Sequence, residues 1–197
     1  MPSFSLNPSV RRTLLAVAIT AVVMATSAAA CEPEPPPVTT PEPPAVDCSV
    51  RGPGAILNGC DLSNENFDDQ DFTNAKLRST NLSNATLVGA RLDGADLTGA
   101  NLYSADVSGA TAVSATLTSA NLEYTNLSSA TLTGTSLRRA SLFQATALGT
   151  QFQNANLSET DLTSAEIIDA DFTGAVFAST TCPGGSLVSA PGTCAAG

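Results

Sequence analysis

The sequence of 197 residues contains no histidine and no tryptophan, and aromatic residues make up only 5% of it. The lack of histidine excludes histidine-based catalytic triads, imidazole acid–base relays and histidine-ligated metal sites. Basic residues are scarce, with 8 Lys and Arg against 18 Asp and Glu and a formal net charge of −10. This charge argues against binding to the phosphate backbone of nucleic acids. Because hydrophobic residues still reach 43%, any core is built from small and aliphatic side chains.

Residues 1–30 have the organisation of an export signal peptide. Arg11 and Arg12 precede an uncharged run, 13–30, which ends in small residues just before Cys31. A charged start, an apolar middle and a small-residue end are typical of a cleaved signal. An uncleaved membrane anchor is the alternative, since the run is near the lower length limit for a helix that crosses a bilayer.

Cleavage before Cys31 has two interpretations. Ala28 and Ala30 suit ordinary signal peptidase, which would release a secreted protein. The run from Ala28 to Cys31 also resembles the lipobox of bacterial lipoproteins, although lipoboxes usually have leucine at the place of Ala28. We expect lipid attachment at Cys31, which would hold the exported protein at a membrane of the cell envelope.

A proline-rich linker follows Cys31 and extends through residue 47. Residues 32–47 read EPEPPPVTTPEPPAVD and contain seven prolines but no large apolar residue. Such a segment cannot form a core and favours extended polyproline II, with a reach of ~50 Å. We interpret it as a semi-rigid spacer rather than as a proline ligand for an SH3-type domain.

The rest of the chain has a period of five residues. Twenty-five consecutive units run without insertion, with large apolar or alanine centres from Leu57 to Phe177. We number the positions of each unit so that the centre is the third. The first position is Ala in seventeen units and Thr in five, and the second position is Asp or Asn in twelve. The fifth position favours Gly, Ser and Asn.

A period of five fits neither an α-helix nor a flat strand. If a short strand and a tight turn share five residues, the chain bends at every unit and a coil closes after a whole number of bends. We therefore expect the first position and the centre to point inward and the other three to face solvent. Stacked coils would pair at ~4.8 Å and share their stability between neighbours.

The units ADLTG (95–99), ANLYS (100–104) and ANLSE with the following Thr (155–160) resemble the pentapeptide repeat family. The resemblance covers residues 55–179, about two thirds of the chain. It implies an all-β fold, a right-handed quadrilateral β-helix with four units per coil. Twenty-five units would then give about six coils and a length of ~30 Å.

Two pairs of cysteines flank the repeats, each pair twelve residues apart: Cys48 with Cys60, and Cys182 with Cys194. Four cysteines allow three connectivities. In the stack that the resemblance implies, the two inner cysteines lie at opposite ends, beyond the reach of a disulfide. We expect local disulfides that form an N-terminal cap (48–60) and a C-terminal loop (180–197). Free thiols and a four-thiolate metal site are the alternatives, and the missing C-x-x-C spacing disfavours the metal.

A cluster of outward aromatic residues is predicted in the middle of the stack. At twenty residues per coil, Tyr103 and Phe143 share a column two coils apart, ~10 Å along the axis. Glu123 lies between them and Tyr124 is adjacent. Exposed apolar groups that cluster mark interaction sites, so we predict contact with a partner protein or with a second copy of the chain.

Acidic residues crowd the two ends of the repeats. Paired carboxylates can serve as acid and base or bind Ca²⁺, but the calcium-loop pattern is missing and outward positions on a solenoid lack a pocket. We predict no catalytic residues, no metal and no cofactor, and interpret the acids as solubilising charge. They are Glu65, Asp68, Asp69 and Asp71 in the first coil, and Glu159, Asp161, Glu166, Asp169 and Asp171 in the last.

These features indicate a non-enzymatic, exported structural or interaction module whose partner is a protein of the envelope or the extracellular space. One branch of the resembled family suggests an alternative, a DNA mimic that binds topoisomerases. The export signal disfavours it, as does the modest acidity of the repeats, which hold 14 acids against 5 bases.

Overall fold

The computed structural model describes residues 45–188 and Cys194. The predicted signal peptide, Cys31 and the linker up to residue 44 lie outside the described residues, as do 189–193 and 195–197. The described residues belong to one compact unit, Pro43–Gly197.

The repeats form a solenoid in which each coil contains four five-residue units. Parallel bridges join residues twenty apart throughout, from Ile56 with Lys76 to Asp161 with Thr181. Four units of five residues account for this register, which is the one that the family resemblance implied. Side chains twenty residues apart therefore lie in columns that run along the stack.

Regular strands are short and few. The described residues contain two regular strands, β1 (Thr180–Thr181) and β2 (Leu187–Val188). They pair antiparallel, with Thr180 opposite Val188 and Thr181 opposite Leu187. Elsewhere the second residue of each unit forms an isolated bridge. A turn follows every bridge, so the predicted all-β pairing is present but is interrupted before a longer strand can form.

In the units from residue 75 to residue 164, three backbone N–H groups of each unit donate to neighbouring coils. In the unit 95–99, the Leu97 N–H donates to the carbonyl of Thr116 at 2.7 Å, and the Gly99 N–H donates to Thr118 at 2.9 Å. The N–H of the second residue donates in the other direction, to the preceding coil. Since the pattern recurs along the repeats, the backbone pairing that a sheet needs is satisfied one unit at a time.

A tight turn closes each unit. The Ala100 N–H donates to the carbonyl of Leu97 at 3.0 Å, which spans the fourth and fifth positions. The fifth residue has a positive φ, 65° at Gly99, as the third residue of a type II turn does. Glycine and asparagine adopt this conformation at low cost, which explains why these two residues are frequent at the fifth position.

The fourth N–H of a unit takes no part in these ladders, and the second side chain accepts its hydrogen bond instead. This happens in all twelve units with Asp or Asn at the second position, for example between the Ser158 N–H and Asn156 Oδ1 at 3.0 Å. The local bond is an Asx turn. The capping residues are Asp61, Asn66, Asp71, Asn81, Asp96, Asn101, Asp106, Asn121, Asn126, Asn156, Asp161 and Asp171.

The core lies inside the coils, as the period predicted. Centres from Leu57 to Ile167 are buried, and so are nearly all first-position alanines. Glu65 and Gln70 are exceptions, because both occupy first positions yet are exposed. They belong to the first coil, where a long polar side chain can reach solvent past the end of the stack. The prediction that every first position points inward was wrong for these two residues.

Threonines at first positions join successive coils through the core. The buried Thr125 hydroxyl donates to the carbonyl of Leu102, the centre of the preceding coil, at 2.8 Å. The same bond to a preceding centre recurs at Thr80, Thr150 and Thr160, and at Thr180 just after the last unit. The fifth first-position threonine, Thr135, instead donates to Leu132 in the unit before it at 2.7 Å. Because a buried hydroxyl needs a partner, threonine replaces alanine here without leaving an unsatisfied group.

Candidate functional site

Three aromatic rings meet on one corner of the solenoid, and we call Tyr103, Tyr124 and Phe143 the aromatic cluster. The rings of Tyr103 and Tyr124 have centroids 5.3 Å apart, and those of Tyr124 and Phe143 are 5.9 Å apart. Both pairs pack edge to face, with interplanar angles of 64° and 80°. The tyrosines remain 40% and 43% exposed. The structure thus brings the three predicted residues together as one exposed apolar surface.

Tyr124 is at a fifth position and has a φ of 59°. Bulky side chains pay roughly 1–2 kcal/mol in this left-handed region, and most other fifth positions carry Gly, Ser or Asn. The location puts its ring between the two rings of the neighbouring column. Two edge-to-face contacts, each contributing about 0.5–1.5 kcal/mol, offset the backbone cost and hold the ring in place.

Glu123 lies in the same column as Tyr103 and Phe143, on the coil between them. Its carboxylate accepts a hydrogen bond from the Ser141 hydroxyl at 3.0 Å. Its backbone N–H donates to Asn121 Oδ1, also at 3.0 Å. These bonds fix the Glu123 side chain on the coil between Tyr103 and Phe143. The sequence pointed to the rings through the twenty-residue column, whereas Ser141 as the partner of Glu123 is evident only from the structure.

All five arginines in residues 45–188 form ion pairs with acids other than Glu123. Arg138 and Arg139 both bind Glu159, each at 2.6 Å. Hydrogen bonds from Arg139 and then from Arg138 lower the pKa of Glu159 below its ordinary value. The other pairs are Arg51 with Glu65, Arg78 with Asp96, and Arg91 with Asp71 and Asp93. These exposed pairs contribute little to stability individually.

The acidic residues at the two ends do not converge on a site. Asp71, Asp161 and Asp171 cap backbone N–H groups of their own units, and Asp68 accepts from the Val88 N–H of the next coil at 2.9 Å. Within residues 45–188 and Cys194, no group of three or more acidic or cysteine side chains could hold a metal ion. Four of the nine acidic residues that we assigned to solubility therefore satisfy backbone donors. For the three at second positions, the signal in the sequence was the preference for Asp and Asn there.

Both predicted disulfides are present. Cys48 bonds to Cys60 with their Cα atoms 5.6 Å apart, and Cys182 bonds to Cys194 at 5.3 Å. Arg51 reinforces the N-terminal cap, since its guanidinium lies 5.1 Å from the centroid of the Phe67 ring and pairs with Glu65. The N-terminal disulfide thereby ties the first coil to a segment outside the repeats, and the C-terminal disulfide closes a loop that follows them.

An open hollow of about 500 Å³ lies beside the N-terminal cap. Its lining is mostly apolar, and Asp47 is its one ionisable side chain. Asp47 accepts hydrogen bonds from the hydroxyl and the N–H of Ser49, which lower its pKa. A hollow with a single, locally bonded carboxylate lacks the converging groups that catalysis needs.

No helix in the described part of the chain is long and apolar enough to cross a membrane.

Comparisons with known proteins agree with the repeat register. A family model for pentapeptide repeats matches in eight copies, over residues 54–87, 75–111, 113–146 and 149–178. The search of curated proteins gave no match.

Several solved structures are similar to the chain. A pentapeptide repeat protein of the cyanobacterium Cyanothece 51142 is 27% identical, with 64% of this chain and 87% of that chain covered and a TM-score of 0.47. One from the thylakoid lumen of Arabidopsis thaliana is 26% identical, covering 61% and 70%, with a TM-score of 0.25. A trypsin-treated form of QnrB1, a plasmid-mediated fluoroquinolone resistance protein, is 20% identical, covering 64% and 76%, with a TM-score of 0.33.

Proposed function

The chain belongs to the pentapeptide repeat family, and from that premise we propose that it is an exported, non-enzymatic interaction module anchored by lipid at Cys31. The repeats would form a right-handed β-helix of about six coils, with residues 32–47 as the spacer to the anchor. Its partner would be a protein of the cell envelope or the extracellular space.

One observation carries the interaction role. The solenoid buries the first position and the centre of nearly every unit and displays the other three on its surface. The displayed side chains follow columns with the ~4.8 Å spacing of a sheet, and the aromatic cluster occupies one such corner. Interfaces are enriched in aromatic residues, tyrosine among them. This surface is therefore suited to binding a partner rather than to catalysing a reaction.

Two observations support export. Residues 1–30 have the charged start, apolar run and small-residue end of a signal peptide. The structure contains two disulfides, and such bonds persist in oxidising compartments and are rare in the cytosol. A DNA mimic acting on a topoisomerase would require the opposite location.

Export and lipid attachment are tested by fractionating cells and measuring the intact mass of the native protein, with and without reductant and alkylation. We expect a membrane-associated species that begins at Cys31, carries a diacyl or triacyl mass and has four protected thiols. A cleaved species without lipid would leave a secreted module. A full-length, reduced, cytosolic species would overturn the proposal and favour the DNA-mimic alternative.

A further inference from the structure

We propose that the aromatic cluster and Glu123 bind an arginine side chain presented by a segment of a partner protein. This proposal rests on the interaction role above and specifies the chemistry of the partner. Arginine suits both parts of the surface, because its guanidinium plane stacks on aromatic faces and its N–H groups donate to a carboxylate.

The rings are prepared for such a contact before any partner arrives. Edge-to-face packing at 5.3 and 5.9 Å fixes Tyr124 between its two neighbours. Both tyrosines are more than one third exposed. Rigid, partly exposed aromatic side chains lose little freedom on binding, and for this reason they are frequent anchors of interfaces.

The charge of the surface selects a cation. Glu123 lies in the column between Tyr103 and Phe143, its carboxylate is bonded to Ser141, and aromatic faces are themselves electronegative. Within residues 45–188, no Lys or Arg forms an ion pair with Glu123, whereas the arginines there are engaged by other acids. The corner thus combines apolar area with an available negative charge, which is complementary to an arginine side chain.

The same charge opposes the alternative in which a second copy covers the cluster. A two-fold contact is isologous, so the same patch faces itself across the axis. An axis through Tyr124 would bring two Glu123 carboxylates together, and like charges in an interface are unfavourable. A basic partner meets no such penalty.

The chain offers a built-in probe for the test. It contains two tyrosines and no tryptophan, and both tyrosines belong to the cluster, so tyrosine emission reports on this surface alone. The full mature chain would be titrated with the capped peptide Gly-Arg-Gly-Arg-Gly. We expect a saturable change in emission, a weaker response to the lysine analogue, and weakening by added salt.

Variants locate the binding. Glu123→Gln keeps the acceptor for Ser141 but removes the charge, and Phe143→Ser removes one ring while keeping both tyrosines. Each is expected to weaken peptide binding about three- to tenfold. Glu166→Gln is the matched control, because it lowers the net negative charge equally from an exposed position two coils beyond Glu123. It should bind like the wild type.

Three results would overturn the proposal: no saturable change, equal weakening by Glu123→Gln and Glu166→Gln, or self-association that the double change Tyr103→Ser and Phe143→Ser abolishes in sedimentation. The last would assign the cluster to a second copy. The mass measurement tests export separately. If the protein is lipidated but does not bind the peptide, only the arginine contact is refuted. A cytosolic species would refute the proposed function whatever the peptide does.

Discussion

The second residue of a unit acts through both its backbone and its side chain. Its backbone bridges to neighbouring coils, and its Asp or Asn side chain satisfies the fourth N–H of the same unit. The Asp and Asn preference is visible in the sequence, but its cause is not, because the period does not show which N–H groups the ladders leave free. Three units use another route, in which Asn58, Asp68 or Asp93 of the preceding coil accepts the bond.

Removing one such cap should cost a measurable amount of stability. Asn156→Ala leaves the Ser158 N–H without its acceptor, and we expect the free energy of unfolding to fall by about 1 kcal/mol. Urea denaturation followed by circular dichroism measures it. Asn156→Asp keeps the acceptor and should remain near the wild type.

Thr116→Ala is the matched control for the cap. Thr116 occupies the same column two coils earlier, and the described residues include no bond from its side chain to the fourth N–H. Its replacement should change stability by a few tenths of a kcal/mol at most. Equal losses for Asn156→Ala and Thr116→Ala would refute the capping role.

At the scale of the element, the five-residue period was sufficient to predict the unit, its inward positions and, through the family resemblance, the register of twenty. Each follows from a repeat that every unit obeys. The exposure of Glu65 and Gln70 was not predicted, because the rule does not hold at the end of a stack. The isolated bridges were not predicted either, because an apolar pattern indicates which side chains are buried but not how many consecutive residues pair between strands. The column of twenty did bring Tyr103 and Phe143 together in advance.

The N-terminal cap should depend on its disulfide. In the double variant Cys48→Ala and Cys60→Ala, the first position of the unit keeps a small residue, so the coil itself is preserved. We expect a loss of about 3 kcal/mol from a disulfide that closes a loop of this size. Trypsin should also cleave after Arg51 in this variant, whereas the bonds from Arg51 to Cys48 and Glu65 should protect that site in the wild type.

Limited proteolysis with mass analysis of the fragments tests this directly. The double variant Cys182→Ala and Cys194→Ala serves as the control, because it opens the opposite end and should leave Arg51 protected. Arg51 cleaved equally fast in the wild type and in both variants would show that the disulfide does not hold the cap.

For the whole molecule, the absence of histidine and the nature of the bonded carboxylates determine the response to pH. Hydrogen bonds from Arg139 and Arg138 lower the pKa of Glu159, and those from Thr173 lower the pKa of Asp171. When a folded pKa lies below its unfolded value, the stabilisation is complete above the unfolded pKa and is lost as pH falls through the folded one. Acidification should therefore destabilise the solenoid, and the neutral range should not.

We expect the melting temperature to be constant between about pH 6 and 8, where no side chain of ordinary pKa titrates in a chain without histidine, and to decrease below about pH 4. Glu159→Gln removes one contributing group, so its melting temperature should fall less steeply in acid. Glu166→Gln removes the same charge without an arginine partner, so its curve should differ from that of the wild type only by the general effect of net charge. Thermal unfolding monitored from pH 2 to 8 distinguishes them, and identical acid slopes for Glu159→Gln and the wild type would mean that the pairs with Arg138 and Arg139 do not stabilise the fold.

Net negative charge works in the opposite direction, because protonation relieves repulsion among the acids. The difference between the two glutamine variants cancels that general effect and isolates the paired carboxylate.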